Sequence, residues 1–124
     1  MAVSDNTKRE MYITLLHLVH QKRSTYKELL TLLDRGPGHH LANNILGGIH
    51  RKIEKLENEW DDEIPKINAL VFETDDNDTE VSPWVVTNVF NGIRPNKEQV
   101  HEYACRVKTY GKWNEVLEAF KYWK

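Results

Sequence analysis

The side chains able to do chemistry fall into a histidine set, an acidic run and a mixed polar helix face. The six histidines include His17 and His20, three positions apart, and a group at His39, His40 and His50. Zinc takes four N, S or O ligands in a tetrahedron, and its common signatures pair Cys or His at tight spacing. With one cysteine, Cys105, and no HExxH or CxxC run, the sequence predicts no metal site and no cofactor. Capping, surface exposure and groove contact account for the histidines. Cys105, beside Ala104 and Val107, reads as a small core residue with no neighbouring base to make it a nucleophile.

The acidic run comprises Glu57, Glu59, Asp61, Asp62 and Glu63, followed by Asp75, Asp76 and Asp78. Asp75-Asp76-Asn77-Asp78 lacks the spaced acids, glycine and terminal Glu of an EF-hand loop. A small metal-dependent nuclease would need carboxylates and a lysine on one metal. Glu57, Asp61, Glu73 and Lys66 are the candidates, and their spacing does not bring them together. The run otherwise reads as a solvated surface. Its functional alternative is a patch that binds a basic protein partner or acts as an inhibitor through Asp61, Asp62, Asp75, Asp76 and Asp78.

The mixed face belongs to a helix over 39–60. Leu41, Ile45, Ile49, Ile53, Leu56 and Trp60 form one apolar stripe at helical spacing. Opposite it fall His39, His40, Asn43, Asn44, Gly47, His50, Arg51 and Glu54. Asn pairs bidentately with adenine and Arg with guanine in the major groove, while Lys22, Arg23, Lys27, Arg35 and Lys52 are candidates for phosphates. The DNA-contact set is therefore His40, Asn43, Asn44, His50, Arg51, Lys27 and Arg35. Asp75, Asp76 and Asp78, placed where a wing would lie, repel phosphate and count against this reading.

The elements that would position these groups follow from caps and periodicity. Ser4 or Asp5 caps a first helix over 6–21, with Tyr12, Leu15, Leu16 and Val19 on one stripe. Thr25-Tyr26-Lys27-Glu28 is a capping box, opening a second helix to about Asp34 that buries Leu29, Leu30, Leu32 and Leu33. Arg35-Gly36-Pro37-Gly38 forces a sharp turn into the third helix. Gly47 and Gly48 each cost about 1 kcal/mol in a helix interior, which predicts close approach of helix one or two.

Pro65 bars continuation of helix three, and Ile67 to Glu73 reads as a strand. Residues 80–86 return as a hairpin strand with Pro83 at its edge, or Ser82 and Pro83 open a short helix ending at Asn91-Gly92; both remain open. Further helices follow over 97–110 and from Trp113 onward, with Gly111 between them. Trp113, Phe120, Tyr122 and Trp123 read as core aromatics, except that Trp123 is a candidate for exposure.

The length of 124 residues fits one domain able to bury a core. Net charge is −2, too near neutral to imply a partner by itself. Its distribution is uneven: 56–80 carries one lysine against ten acids, and the flanks are mildly basic. No apolar run approaches the about 20 residues of a membrane span, and the polar first ten residues lack a signal pattern. A cytoplasmic protein with no membrane partner is expected.

Thr25-Tyr26-Lys27-Glu28-Leu29, His40-Leu41 with Leu46-Gly47-Gly48-Ile49, and Ile64 through Val71 resemble runs in a group of small bacterial and phage proteins of winged-helix-like form. Lys112 through Leu117 is a further match. That group has no characterised activity to carry over. The Thr-Tyr-x-Glu-Leu opening is also similar to the winged-helix part of alkylguanine-DNA alkyltransferase-like proteins. Their Pro-Cys-His-Arg run is absent, so the resemblance implies a fold and not alkyl transfer.

The sequence thus predicts an α+β, mainly helical, winged-helix-like domain over 1–124. It comprises a helix-turn-helix core at 6–60, a strand or hairpin within 64–86 and C-terminal helices within 97–123. The expected function is a non-enzymatic module binding double-stranded DNA or a DNA-associated protein through helix 39–60. The acidic segment 57–80 as a protein-interaction surface is the second reading, and a nuclease the third. A homodimer is compatible with a helix-turn-helix, although no heptad pattern for one is present.

Overall fold

A computed structural model describes residues 4–34, 42–72, 81 and 83–123, the side chains of 42 and 43 excepted. Helix α1 spans Asp5–Gln21. Ser4 caps it, its Oγ accepting from the Thr7 N–H at 3.1 Å, which satisfies one of the helix's orphan donors. The helix ends at Lys22, whose φ of +67° turns the chain so that its N–H reaches the Leu18 carbonyl. Strand β1, Ser24–Thr25, follows and leads directly into α2, Tyr26–Leu32.

The Thr25 Oγ1 accepts from the Glu28 N–H at 3.2 Å, the forward half of the expected capping box. The return half differs, because the Glu28 carboxylate accepts from the Ser24 hydroxyl instead, at 3.3 Å. Helix α2 is shorter than expected and only one side of it packs. Leu29 is buried, while Leu32, expected inside, is 42% exposed. The turn at 35–38, with His39, His40 and Leu41, lies outside the described residues.

A π-helical turn, Ala42–Leu46, precedes α3, Gly47–Trp60. The stripe read from spacing is the buried one: Ile45, Ile49, Ile53 and Leu56 are all in the core. Both glycines are buried, and a Cβ on Gly48 would overlap the Met11 sulfur of α1. The neighbour that crowds Gly48 is thus the Met11 side chain of helix one, and not another backbone. A second constraint meets the same helix: the buried Asn68 Nδ2 donates to the Leu46 carbonyl at 2.7 Å, where the π turn passes into α3.

The predicted strand over 67–73 is mostly something else. Ile67–Leu70 forms a 3₁₀ turn and only Val71–Phe72 is strand, β2. A buried turn and a buried strand give the same unbroken apolar run, so periodicity cannot separate them. Strand β2 pairs in parallel with β1, Ser24 opposite Val71 and Thr25 opposite Phe72, and Phe72 makes an antiparallel bridge to Val81. The chain then enters α4, Pro83–Val89, so the helix alternative holds after a single bridging residue.

Asn96 caps α5, Lys97–Thr109, in a complete capping box with Gln99, both bonds at 2.8 Å. Helix α6, Trp113–Lys121, packs along α1 and buries Trp113, Val116, Leu117 and Phe120. The Trp113 indole N–H donates to the Val107 carbonyl at 2.8 Å. A smaller cluster of Phe72, Val81, Val85, Val86 and Val100 joins α4 to α5. Cys105, expected in the core, is exposed on α5. The architecture is mainly helical with a two-stranded parallel sheet. Among the described residues no helix is long and apolar enough to cross a membrane.

Two substitutions test the α1–α3 junction. Gly48→Ala, which raises helix propensity, is expected to lower stability by about 1–3 kcal/mol through overpacking against Met11; a neutral result in chemical denaturation would show that Met11 swings clear. Asn68→Ala removes a buried side-chain bond to the Leu46 carbonyl and is expected to cost about 0.5–1.5 kcal/mol, measured the same way.

Candidate nucleic-acid interface

Of the set expected to touch DNA, the structure exposes Lys27 on α2, Asn44 in the π turn and Arg51 on α3. His40, Arg35 and the Asn43 side chain lie outside the described residues. His50 corrects the expectation. It sits four residues after Leu46, beside the apolar stripe, and α4 covers it: its ring meets Trp84 edge-on at 5.2 Å. It is 9% exposed and therefore not on the outward face. Its Nε2 lies 3.3 Å from Glu54, and its buried Nδ1 has no hydrogen-bond partner among the described residues. Burial lowers its pKa, more than Glu54 raises it.

A group of half-buried and exposed cations instead gathers around Trp123. Trp123 follows α6, and its ring carries two ammonium groups, Lys8 Nζ at 5.1 Å and Lys52 Nζ at 4.7 Å from the centroid. Helix packing makes this possible, since α6 runs beside α1 and brings its end to the first turns of α1. Lys52 and Lys55, three apart on α3, lie on adjacent turns of one face. A shallow groove of about 150 Å³ beside Trp123 is lined by Gly48, Arg51, Lys52 and Lys55. On the other side a groove of about 280 Å³ is lined by Lys8, Arg9, Tyr12 and Lys121, with Asp5 as its acid.

Like charges held together here leave a mark on Lys52. Its pKa is lowered by partial burial and then by Lys55, with Lys8 adding to the effect and Glu59 opposing it. Each cation over the indole gains about 0.5–1 kcal/mol from the ring, which helps hold the ammonium groups in place. Lys27 is elsewhere, in a groove with His17, Thr25 and Thr31.

The acidic segment is partly consumed within the fold. Asp62 accepts from Lys112 at 2.8 Å, and Glu63 from Arg106 at 2.7 Å, tying the end of α3 to α6 and α5. The Glu57 carboxylate accepts from the Ile64 N–H at 3.0 Å and pairs with Lys66. Asp61, at a φ of +50°, ends α3 and is exposed. Asp75, Asp76 and Asp78 lie outside the described residues. Among the described residues no three His, Cys, Asp or Glu side chains converge as metal ligands, and the nuclease candidates Glu57 and Lys66 face each other.

Sequence reasoning singled out Arg51, Lys52 and Trp123 but missed Lys8, Arg9, Lys55 and Lys121. The i, i+3 spacing of Lys52 and Lys55 was the readable signal; the meeting of α1 with the chain's last residues was not. No protein-family model, curated protein or solved structure matches the chain.

The state of His50 has a pH signature. Unfolded, it takes a proton near its ordinary value of 6.5; folded, only at lower pH. The unfolded chain therefore binds more protons over that window, and stability falls as pH drops below about 6.5. His50→Phe is expected to fall less steeply than wild type between about pH 6.5 and 5 in urea titrations; equal slopes would show that His50 is not the source.

Proposed function

We propose that this chain is a non-enzymatic nucleic-acid-binding module that grips the phosphate backbone through the basic surface around Trp123. The observation that carries the reading is the seating of Lys8 and Lys52 over one indole ring, with Arg51 and Lys55 lining the same edge. Bringing like charges together costs folding free energy, and an anionic partner recovers it. A phosphate near Lys52 would favour the charged form that partial burial and Lys55 disfavour. Backbone contacts of this kind release counterions and give affinity that falls steeply with salt.

In this reading α3 contributes its middle turns, Arg51, Lys52 and Lys55, and Asn44 is the candidate for a base edge at its start. Double-stranded DNA is the first partner to test. A winged-helix-like form is part of the proposal. Supporting it is the order α1, β1, α2, α3, β2, with Val81 returning to bridge Phe72. The direct parallel pairing of β1 with β2 is where this chain would depart from an all-antiparallel wing.

Fluorescence anisotropy with labelled duplex and single-stranded DNA tests the proposal. Wild type is expected to bind at low salt, and Lys52→Ala/Lys55→Ala to weaken binding and flatten the salt slope by about 2, one per lost contact. Trp123→Ala, which removes the platform and no charge, is expected to weaken duplex and single-strand binding alike. Absence of binding to either at low salt would overturn the reading.

A further inference from the structure

One large side chain beside the basic surface is left unused by a phosphate grip. Tyr122, expected in the core, is 68% exposed. Its backbone is nonetheless fixed, because its N–H donates to the Glu118 carbonyl at 3.0 Å as α6 closes. Among the described residues its ring contact is the Lys121 ammonium, 5.5 Å from the centroid. Lys121 also lines the groove of about 280 Å³ that holds Lys8 and Arg9, so Tyr122 stands at the rim of that groove. None of these three cations forms a salt bridge among the described residues. Asp5 is the acid on the lining, and Glu118 stands one turn before Tyr122. Of the other rings here, Phe120 is buried, Tyr12 is half-buried, and Trp123 carries Lys8 and Lys52. Tyr122 is therefore the ring with open surface.

We propose that the partner at this surface is a single-stranded nucleic acid, its phosphates following Lys8, Arg9 and Lys121 and an unpaired base lying on the Tyr122 ring, an assignment that rests on the phosphate-backbone reading and names its partner. Phosphates alone do not choose between duplex and single strand, since both carry them. The choice comes from the ring. A base inside a duplex is covered on both faces by its neighbours and has no face to offer a protein side chain, whereas an unpaired base has. A cationic groove with an aromatic platform suits single strands for that reason: the charge tracks the backbone, and any base can stack because every base has a π face. Lys121 joins the two parts, its ammonium lying over the ring while its side chain lines the groove, so one nucleotide meets both.

Three labelled probes of equal length separate these contributions in fluorescence anisotropy on the full chain: an oligothymidylate, an abasic strand with the same phosphates, and a duplex. The oligothymidylate is expected to bind about fivefold or more tighter than the abasic strand, the lower end of what one stacked base contributes. Tyr122→Ala changes an exposed side chain at the end of α6 and is expected to erase that difference, leaving the salt slope and the abasic and duplex affinities as in wild type. Tyr122→Phe keeps the ring and is expected to bind as wild type does. Arg9→Ala/Lys121→Ala is expected to flatten the single-strand salt slope by about 1.4, at about 0.7 per phosphate contact. The single-strand assignment alone is overturned if the abasic strand binds as tightly as the oligothymidylate, or if Tyr122→Ala changes nothing or weakens the duplex equally. It is also overturned if the Arg9/Lys121 double variant keeps the wild-type slope. If no probe binds at low salt, the phosphate-backbone reading and the single-strand assignment fall together.

Discussion

The contact between Gly48 and Met11 sets the geometry from which the rest follows. At Gly48 the Met11 side chain of α1 lies so close to the α3 backbone that a methyl group there would meet its sulfur unless that side chain shifts. The junction is held from the other side by Asn68, whose side-chain amide donates to the Leu46 carbonyl. A π turn leads into α3, and a change of helical pitch disturbs the i to i−4 ladder. The buried Asn68 amide adds a side-chain bond to the carbonyl of the residue that caps α3. The 3₁₀ turn carrying Asn68 passes straight into β2, so the clamp that fixes α3 also fixes the strand that pairs with β1.

With α1 and α3 locked, the charged surface becomes a consequence of packing. The acids following α3 turn toward α5 and α6 and find Arg106 and Lys112. Exposed pairs of this kind add little stability, but they withdraw Asp62 and Glu63 from the surface that an acidic docking patch would need. Among the described residues the cations of α1 and α3 around Trp123 form no salt bridge, although Asp5 and Glu59 lie near them. Lys8 and Lys52 meet an indole ring instead, which holds an ammonium group without neutralising it.

Most helices were legible from local signals: Ser4 and Thr25 cap theirs, and the stripes at Ile45–Leu56 and Val116–Phe120 bury as their spacing requires. What the sequence hid has one cause, which is dependence on a distant partner. Ile67–Val71 is buried on all sides, so its apolar run carries no period to separate turn from strand. His50 is hidden by Trp84, thirty-four positions away, and the segment holding Trp84 could equally have formed a hairpin strand. Cys105 sits next to Ala104 in the sequence, yet one step along a helix turns a side chain by about 100°, enough to move it from the core to water. The candidate site was half legible for the same reason: α3 supplied a readable face, while Lys8 and Trp123 meet only through the pairing of α1 with α6.

The basic surface around Trp123 lies toward one end of α1. Lys8 and Lys22, near the two ends of that helix, are fourteen residues apart, which over helical rise separates their backbones by about 21 Å. At an ionic strength near 0.1 M the screening length is about 10 Å, so charge bound around Trp123 has little direct effect at the far end. Any communication along the helix would have to be mechanical, through movement of α1. That movement is opposed by the Gly48 contact and by the buried row Met11, Leu15 and Leu18, whose repacking is costly at interior density. Binding around Trp123 without a response at the far end of α1 is therefore the physical default for this fold. A response there would mean that the α1–α3 junction has a second packed arrangement.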